Sequence, residues 1–132
     1  MMKHNTLRDF EAAWAEPGGS ALDNWYERVR SLPIDHLSTA DTCRSLRQGF
    51  LVDPVIRRAI DLFVADPAAG EIDEGELARA LLTVPMGWWT DHLLEARRVT
   101  EVAQDWLTDQ GGLPEIKRLL AHLPIAALNK GG

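Results

Sequence analysis

The sequence predicts an all-α domain, and three observations support that fold class. Apolar residues recur at intervals of three and four along almost the whole chain. Pro and Gly fall between these periodic segments, as expected at helix boundaries. No stretch alternates apolar and polar residues with the β-branched enrichment that is typical of strands. With 132 residues, residues 1–132 fit one compact domain of about seven helices joined by short turns.

Recognisable start and stop signals bound the first three predicted helices. Thr6, Ser20 and Ser38 (or Thr39) are the expected starts, because a hydroxyl can accept a hydrogen bond from the first turn. The apolar face of the first helix is expected to hold Leu7, Phe10 and Trp14. The corresponding stop signals are Pro17, Pro33 and Gly49.

The fourth helix is expected to be the most buried of the set. Asp53-Pro54 is its start signal, a cap residue followed by proline at the first helical position. Its apolar residues cover both sides of the contact face, namely Val55, Ile56, Ala59, Ile60, Phe63 and Val64. Asp66-Pro67 ends it.

Three further helices complete the predicted domain. Asp73 is the expected cap of the fifth helix. A long sixth helix is predicted from about Trp88 to Asp109, and Pro114 begins the seventh. The tail from about residue 125 has no periodic pattern and is expected to fray.

Charge is the first indication of function. The net charge is −6, and the segment from Asp61 to Glu76 contains no Lys or Arg. Its six acids are Asp61, Asp66, Glu71, Asp73, Glu74 and Glu76. A field of this sign repels phosphate backbones and attracts a basic partner, so direct nucleic-acid binding is disfavoured. The alternative interpretation is a solvated acidic turn without a partner.

The chain is expected to act in the cytoplasm. Its N-terminal residues do not form an apolar signal-peptide segment, and no apolar run approaches the roughly 18 to 20 residues of a membrane span. The single Cys43 cannot form an internal disulfide. No membrane partner is therefore expected.

Candidates for catalysis or for a cofactor are few. His92 and Glu95 have the spacing of a carboxylate-bridged metal half-site, but the second copy that a di-metal bundle needs is missing. His36 and Cys43 are conceivable as a nucleophilic pair, although a lone cysteine in a helical chain is more often a core residue. We therefore expect no catalytic residue, no metal, no cofactor and no enzymatic activity.

Tryptophan provides a second candidate binding feature. The chain contains five tryptophans, four of them on predicted apolar faces. Trp88 is different, because it neighbours Trp89 at a helix start and adjacent helical residues cannot both point to the centre of one face. One of this pair is expected near the surface, where exposed aromatic residues are enriched in binding patches.

An ordered series of short motifs extends from about Trp25 to Trp89. In sequence they are Leu32-Pro33-Ile34, Leu37-Ser38-Thr39-Ala40-Asp41, Gln48-Gly49-Phe50-Leu51, Pro54 with Ala59, Ile60 and Leu62, Asp66-Pro67, Gly70-Glu71, Gly75-Glu76-Leu77, Leu81-Leu82 and Trp88-Trp89. In this order they resemble the helix boundaries and turns of the immunity proteins of bacterial contact-dependent growth inhibition (CDI) systems. The spacing around Gln48-Gly49 differs, and residues 73–76 replace the family's Y-P-G-D turn.

The resemblance implies a binding protein. CDI immunity proteins bind the C-terminal toxin domain of a cell-surface effector, and the toxins are frequently nucleases, including ones that act on transfer RNA. A nuclease must present cations to phosphate, so an acidic inhibitor would complement it, either by filling its active site or at an exosite. The expected partner is this cognate toxin domain, and the free protein is expected to be a monomer.

The candidate toxin-binding residues form two groups, one in the acidic turn and one near the start of the long helix. They are Glu71, Asp73, Glu74, Glu76, Trp88, Asp91 and Glu95. If the acidic turn is only a solvated loop, the interface is expected near Trp88 and along the exposed side of the long helix, at Asp91, Glu95, Glu101 and Asp105. Two other hypotheses stay open, a helical regulatory or adaptor module unrelated to toxins and a small metal-dependent enzyme that uses His92 and Glu95.

Overall fold

The computed structural model describes residues 6–9, 20–69, 75–110 and 113–124. The α-helices of this part are α1 (Ser20–Val29), α2 (Thr39–Arg47), α3 (Asp53–Ala65), α4 (Glu76–Leu81), α5 (Met86–Asp91), α6 (Leu93–Gln110) and α7 (Pro114–His122). A 3-10 helix, Ile34–His36, lies between α1 and α2. Among the described residues the only β-type pairing is an isolated bridge between Thr6 and Pro33. The predicted all-α fold is confirmed.

The helix α3 occupies the centre of the core. It packs against α2, α4, α6 and the 3-10 helix, and its buried residues include Ile60 and Phe63. Each such side chain stabilises the fold by about 1.5 to 3 kcal/mol when it leaves water. The shorter α4 is nevertheless buried over more of its length, with five of its six residues covered. The prediction that α3 is the most buried helix is therefore wrong, although α3 packs against four other elements of the fold.

Local hydrogen bonds explain several boundaries that the sequence predicts. The Ser38 hydroxyl accepts a hydrogen bond from the Asp41 N–H at 3.0 Å and so caps α2. Gly49 ends that helix region with a φ of 96°, a conformation that favours glycine. Pro114 is the first residue of α7, where its missing N–H costs nothing.

Two predicted caps are displaced. The cap of α3 is Val52, and Asp53 is instead the first helical residue, where its carboxylate pairs with Arg57. The cap of α4 is Gly75, in the left-handed region at φ 86°, so the predicted capping by Asp73 is wrong. Glycine adopts this conformation without the steric penalty of a Cβ. The Leu77 N–H in the first turn donates to the Ala69 carbonyl at 3.2 Å, so a backbone oxygen takes the place of a side-chain cap there.

The predicted long helix from Trp88 to Asp109 is divided in two. His92, with φ −131° and ψ 58°, separates α5 from α6. Its ring Nδ1 lies 2.7 Å from the Trp88 carbonyl, the acceptor that its own N–H would use in a continuous helix. That N–H donates to the Trp89 carbonyl at 3.2 Å instead. The apolar period runs through this break, which is why periodicity alone does not reveal it.

The first predicted helix falls mainly outside the described residues. In the described part, residues 7–9 form a 3-10 turn, and the Thr6 N–H donates to the Asp9 carboxylate at 3.0 Å. Leu7 is completely buried. Phe10, Trp14 and the tail from residue 125 lie outside the described residues. Among the helices that are described, none is long and apolar enough to cross a membrane.

Candidate functional site

Glu76 is the one acidic-turn candidate that the structure describes, and it lies inside the protein. Its side chain is 2% exposed, and Arg47 donates to its carboxylate at 2.9 Å. Because Arg47 belongs to α2, this ion pair joins α2 to the first turn of α4. The acidic segment contains no cation of its own, yet one reaches Glu76 from elsewhere in the fold. Glu71, Asp73 and Glu74 lie outside the described residues.

Trp88 is half-buried and Trp89 is fully buried, as expected for two adjacent helical tryptophans. The Trp88 ring stacks on the His92 ring with centroids 4.0 Å apart and meets the edge of Trp89 at 5.4 Å. The Arg57 guanidinium lies 5.8 Å from the Trp88 ring centroid. Trp88 therefore packs over the place where α3 meets the junction of α5 and α6.

A ladder of charged side chains together with the His92 imidazole, defined by the following contacts and called the charge ladder, joins α3 to the α5–α6 segment. The contacts are His92–Asp53 at 3.5 Å, Asp53–Arg57 at 2.6 Å, Arg57–Glu95 at 3.3 Å, Glu95–Arg98 at 3.0 Å and Arg98–Asp61 at 3.4 Å. Residue numbers rise together on the two helices, so α3 and α6 run parallel. The hydrogen bond to Asp53 raises the pKa of the Arg57 guanidinium.

Glu95 and Asp91, both candidate binding residues, have different environments. Glu95 belongs to the charge ladder, and its side chain is 18% exposed. Asp91 is exposed at the end of α5. No ion pair within the described part of the chain involves Asp91, Glu101 or Asp105. These three carboxylates therefore remain available to an external cation.

The parallel course of α3 and α6 brings their C-terminal ends together around an open groove of about 230 Å³. Residues from both helix ends line it, namely Val64, Pro67, Val102, Asp105, Trp106, Asp109 and Gln110. We call this feature the α3–α6 groove. Its lining combines apolar side chains with two carboxylates, and Asp105 and Asp109 are both exposed.

The electrostatics of the groove are unusual for helix ends. A helix C-terminus carries a partial negative charge and is stabilised by Lys, Arg or His in its last turn. Neither α3 nor α6 has a basic residue there. Asp66 follows α3 directly, and Asp109 lies in the last turn of α6. Two negative helix ends and several carboxylates therefore lie close together.

Across the described ranges, no group of three or more His, Cys, Asp or Glu side chains is placed to hold a metal ion. His92 contacts Asp53 and the Trp88 carbonyl. Cys43 is buried in α2, whereas His36 is exposed in the 3-10 helix. What the described candidate residues on α5 and α6 can offer to a partner is carboxylates and aromatic rings.

Sequence reasoning missed the groove, although its signals were present. Trp106 was expected in the core, and the structure places it partly buried in the groove lining. Asp109 was expected only as the end of the long helix. Acids spaced by four residues toward a helix C-terminus, where the helix dipole disfavours them, are the pattern that could have indicated a surface for a cation.

The fold and surface define a small acidic all-α domain, a class that by itself leaves function open. Comparison with protein-family models adds the decisive finding, because residues 10–99 match the family of CDI immunity proteins. The match covers more than half of the chain, and the chain belongs to this family. The family match favours toxin neutralisation over the adaptor and metal-enzyme hypotheses. A search among curated proteins found no match.

Proposed function

We propose that this immunity protein acts in the cytoplasm as a non-enzymatic inhibitor of the C-terminal nuclease domain of its cognate CDI toxin. The free protein is a monomer, and its partner is that domain. The observation that carries the proposal is a set of carboxylates on α5 and α6, at Asp91, Glu101 and Asp105, that have no ion pair with any other described residue, in a chain of net charge −6.

Charge complementarity gives this surface a physical role. A nuclease presents Lys and Arg side chains to its substrate, and a carboxylate surface attracts the same groups. Such complementarity accelerates association more than it lowers the dissociation rate. Glu71, Asp73, Glu74 and Trp88 belong to the proposed surface. Glu76 and Glu95 contribute indirectly, because they hold the helices that present it.

Co-expression with the cognate toxin domain tests the proposal. Cells that express the toxin domain alone should stop growing and lose intact transfer RNA, and this immunity protein should restore both. The purified proteins should form a complex whose association rate falls as ionic strength rises. A toxin domain from an unrelated CDI system is the control and should not be neutralised. Intact nucleic acid in poisoned, unprotected cells would disprove the nuclease assignment.

A further inference from the structure

We infer that the α3–α6 groove receives an arginine side chain from the toxin domain. The inference rests on the proposed function for the identity of the partner, and it adds the place and chemistry of the contact. The groove's position at two helix ends, its size, its lining and its charge each support this occupant.

The groove is small for an organic cofactor or substrate. Small-molecule sites enclose about 300 to 1,000 Å³, whereas this groove encloses about 230 Å³ and opens to solvent. A single long side chain from a protein surface suits that space. Val64, Pro67 and Val102 can cover the aliphatic part of such a side chain.

The polar lining selects a planar cation. Asp105 and Asp109 are one helical turn apart, so their side chains project from the same side of α6. Carboxylates bind guanidinium groups with directed hydrogen bonds. Trp106 supplies an aromatic ring beside them, and a guanidinium also stacks well on such rings. Arginine satisfies both kinds of contact better than lysine does.

The charge of the groove is uncompensated within the described residues. Asp105 and Asp109 have no ion pair there, in contrast to Glu95, Asp53 and Asp61 of the charge ladder. The C-terminal dipoles of α3 and α6 add to the negative potential. Side chains in this arrangement repel one another in the free protein, and a bound cation removes the repulsion.

The groove also extends beyond the residues that identify the family. Its α3 wall lies within the matched residues 10–99, whereas its α6 wall, from Val102 to Gln110, follows them. The family assignment therefore does not designate this surface.

A charge series at Asp105 and Asp109 tests the inference with the cognate toxin domain as the probe. The double variants Asp105→Asn/Asp109→Asn and Asp105→Lys/Asp109→Lys should associate progressively more slowly, by about tenfold for the first at low salt. Their melting temperatures should stay level or rise, because both changes relieve an unfavourable charge at a helix C-terminus. Opposite trends in binding and stability would exclude unfolding as the cause.

The matched control is Glu27→Gln/Asp35→Asn, which removes the same amount of charge at side chains that are 70% and 75% exposed. These residues do not line the groove. The inference is overturned if the asparagine pair associates no more slowly than this control. It is also overturned if only Trp106→Ala weakens the complex, since the occupant would then be apolar. If the wild-type protein binds no toxin domain at all, the proposed function fails together with the inference.

Discussion

Arg47 donates a 2.9 Å hydrogen bond to Glu76, although the two residues are 29 positions apart in the chain. The Glu76 side chain is 2% exposed and that of Arg47 is 42% exposed. An ionised carboxylate is tolerated at such depth only when a cation or hydrogen-bond donors accompany it. A residue of the predicted acidic surface thus stabilises the contact between α2 and α4.

The first prediction follows from this ion pair. Glu76→Gln should lower the free energy of unfolding by about 1 to 3 kcal/mol, because it removes a charge-assisted hydrogen bond from a buried site. Glu27→Gln is the matched control, since Glu27 pairs with Arg30 but is 70% exposed. That change should cost less than about 0.5 kcal/mol. Urea unfolding measures both, and equal losses would contradict the structural role of Glu76.

Gly75 supports a second prediction. Its φ is 86°, and an added Cβ would lie 3.0 Å from Cγ of Glu115. Gly75→Ala should therefore destabilise the protein by about 1 to 3 kcal/mol, through backbone strain and crowding. Gly87→Ala is the opposite case, because a Cβ added there would meet no atom within 4 Å outside its chain neighbours and the local helix backbone. It should leave stability unchanged or raise it by about 0.5 to 1 kcal/mol. Thermal unfolding measures both variants, and a loss of stability in Gly87→Ala as well as in Gly75→Ala would contradict this reasoning.

A third prediction concerns the core. Phe63 is completely buried on α3, so Phe63→Ala should cost about 3 to 5 kcal/mol and threaten folding of a marginally stable domain. Leu94→Ala, at a side chain that is 75% exposed, should change stability by less than about 0.5 kcal/mol. Denaturant unfolding compares the two variants by their midpoint concentrations, provided that the free energy of unfolding depends on denaturant with the same slope in both. A loss below 1 kcal/mol for Phe63→Ala would show that α3 is not central.

Local signals account for the part of the fold that the sequence predicts. Ser38 and Pro114 act over one helical turn, so their effects can be read from neighbouring residues. The break at His92 depends on how one ring bonds the Trp88 carbonyl, and histidine is not in itself a helix breaker. Composition and spacing therefore predict helices well but do not distinguish one long helix from two.

The candidate site was less predictable because its properties are tertiary. In the sequence, Glu76 is one of several acids in an acidic segment. Only the fold shows that Arg47 of α2 pairs with it. Asp105 and Trp106 lie on one helix, and only the parallel neighbour α3 makes them part of a groove. The family resemblance identified the kind of partner, whereas only the fold shows that Glu76 is buried.

Asp41 supports a prediction about pH. Burial acts to raise the pKa of its carboxyl group, but hydrogen bonds from Arg28 and Trp25 outweigh burial and lower the pKa below 3.8. A carboxyl group with a depressed pKa in the folded state stabilises the protein fully above its unfolded value, and this contribution is lost as pH falls through the folded value. Asp41→Asn should thus weaken stability at neutral pH and flatten its decline below pH 3.8.

The control for that measurement is Asp35→Asn, at a side chain that is 75% exposed. Unfolding free energies from pH 2 to 7 should show the wild-type decline for this control. An equally steep acid decline in Asp41→Asn would mean that other carboxyl groups carry the whole effect. The Trp25 and Arg28 contacts would then be without consequence for acid stability.

The final prediction separates the acidic turn from the rest of the surface. Because Glu76 is buried against Arg47, the informative change is Glu71→Gln/Glu74→Gln with Glu76 left intact. This variant keeps shape and removes two charges, so association with the toxin domain should slow severalfold at low salt while folding stability stays unchanged. The Glu27→Gln/Asp35→Asn pair again controls for net charge.

Combining this change with Asp105→Asn/Asp109→Asn shows whether the turn and the groove act on one partner surface. Pro67 lines the groove, and Glu71 follows it by four residues, a chain length of at most about 14 Å. If the turn and the groove both attract the toxin domain electrostatically, the combined variant should associate more slowly than either double variant. Their effects on the logarithm of the association rate should then add approximately. If Glu71→Gln/Glu74→Gln matches the net-charge control and still protects cells, the acidic turn is a solvated loop. We then expect the toxin to bind α5 and α6, where Asp91, Glu101, Asp105 and Asp109 have no ion pair with another described residue.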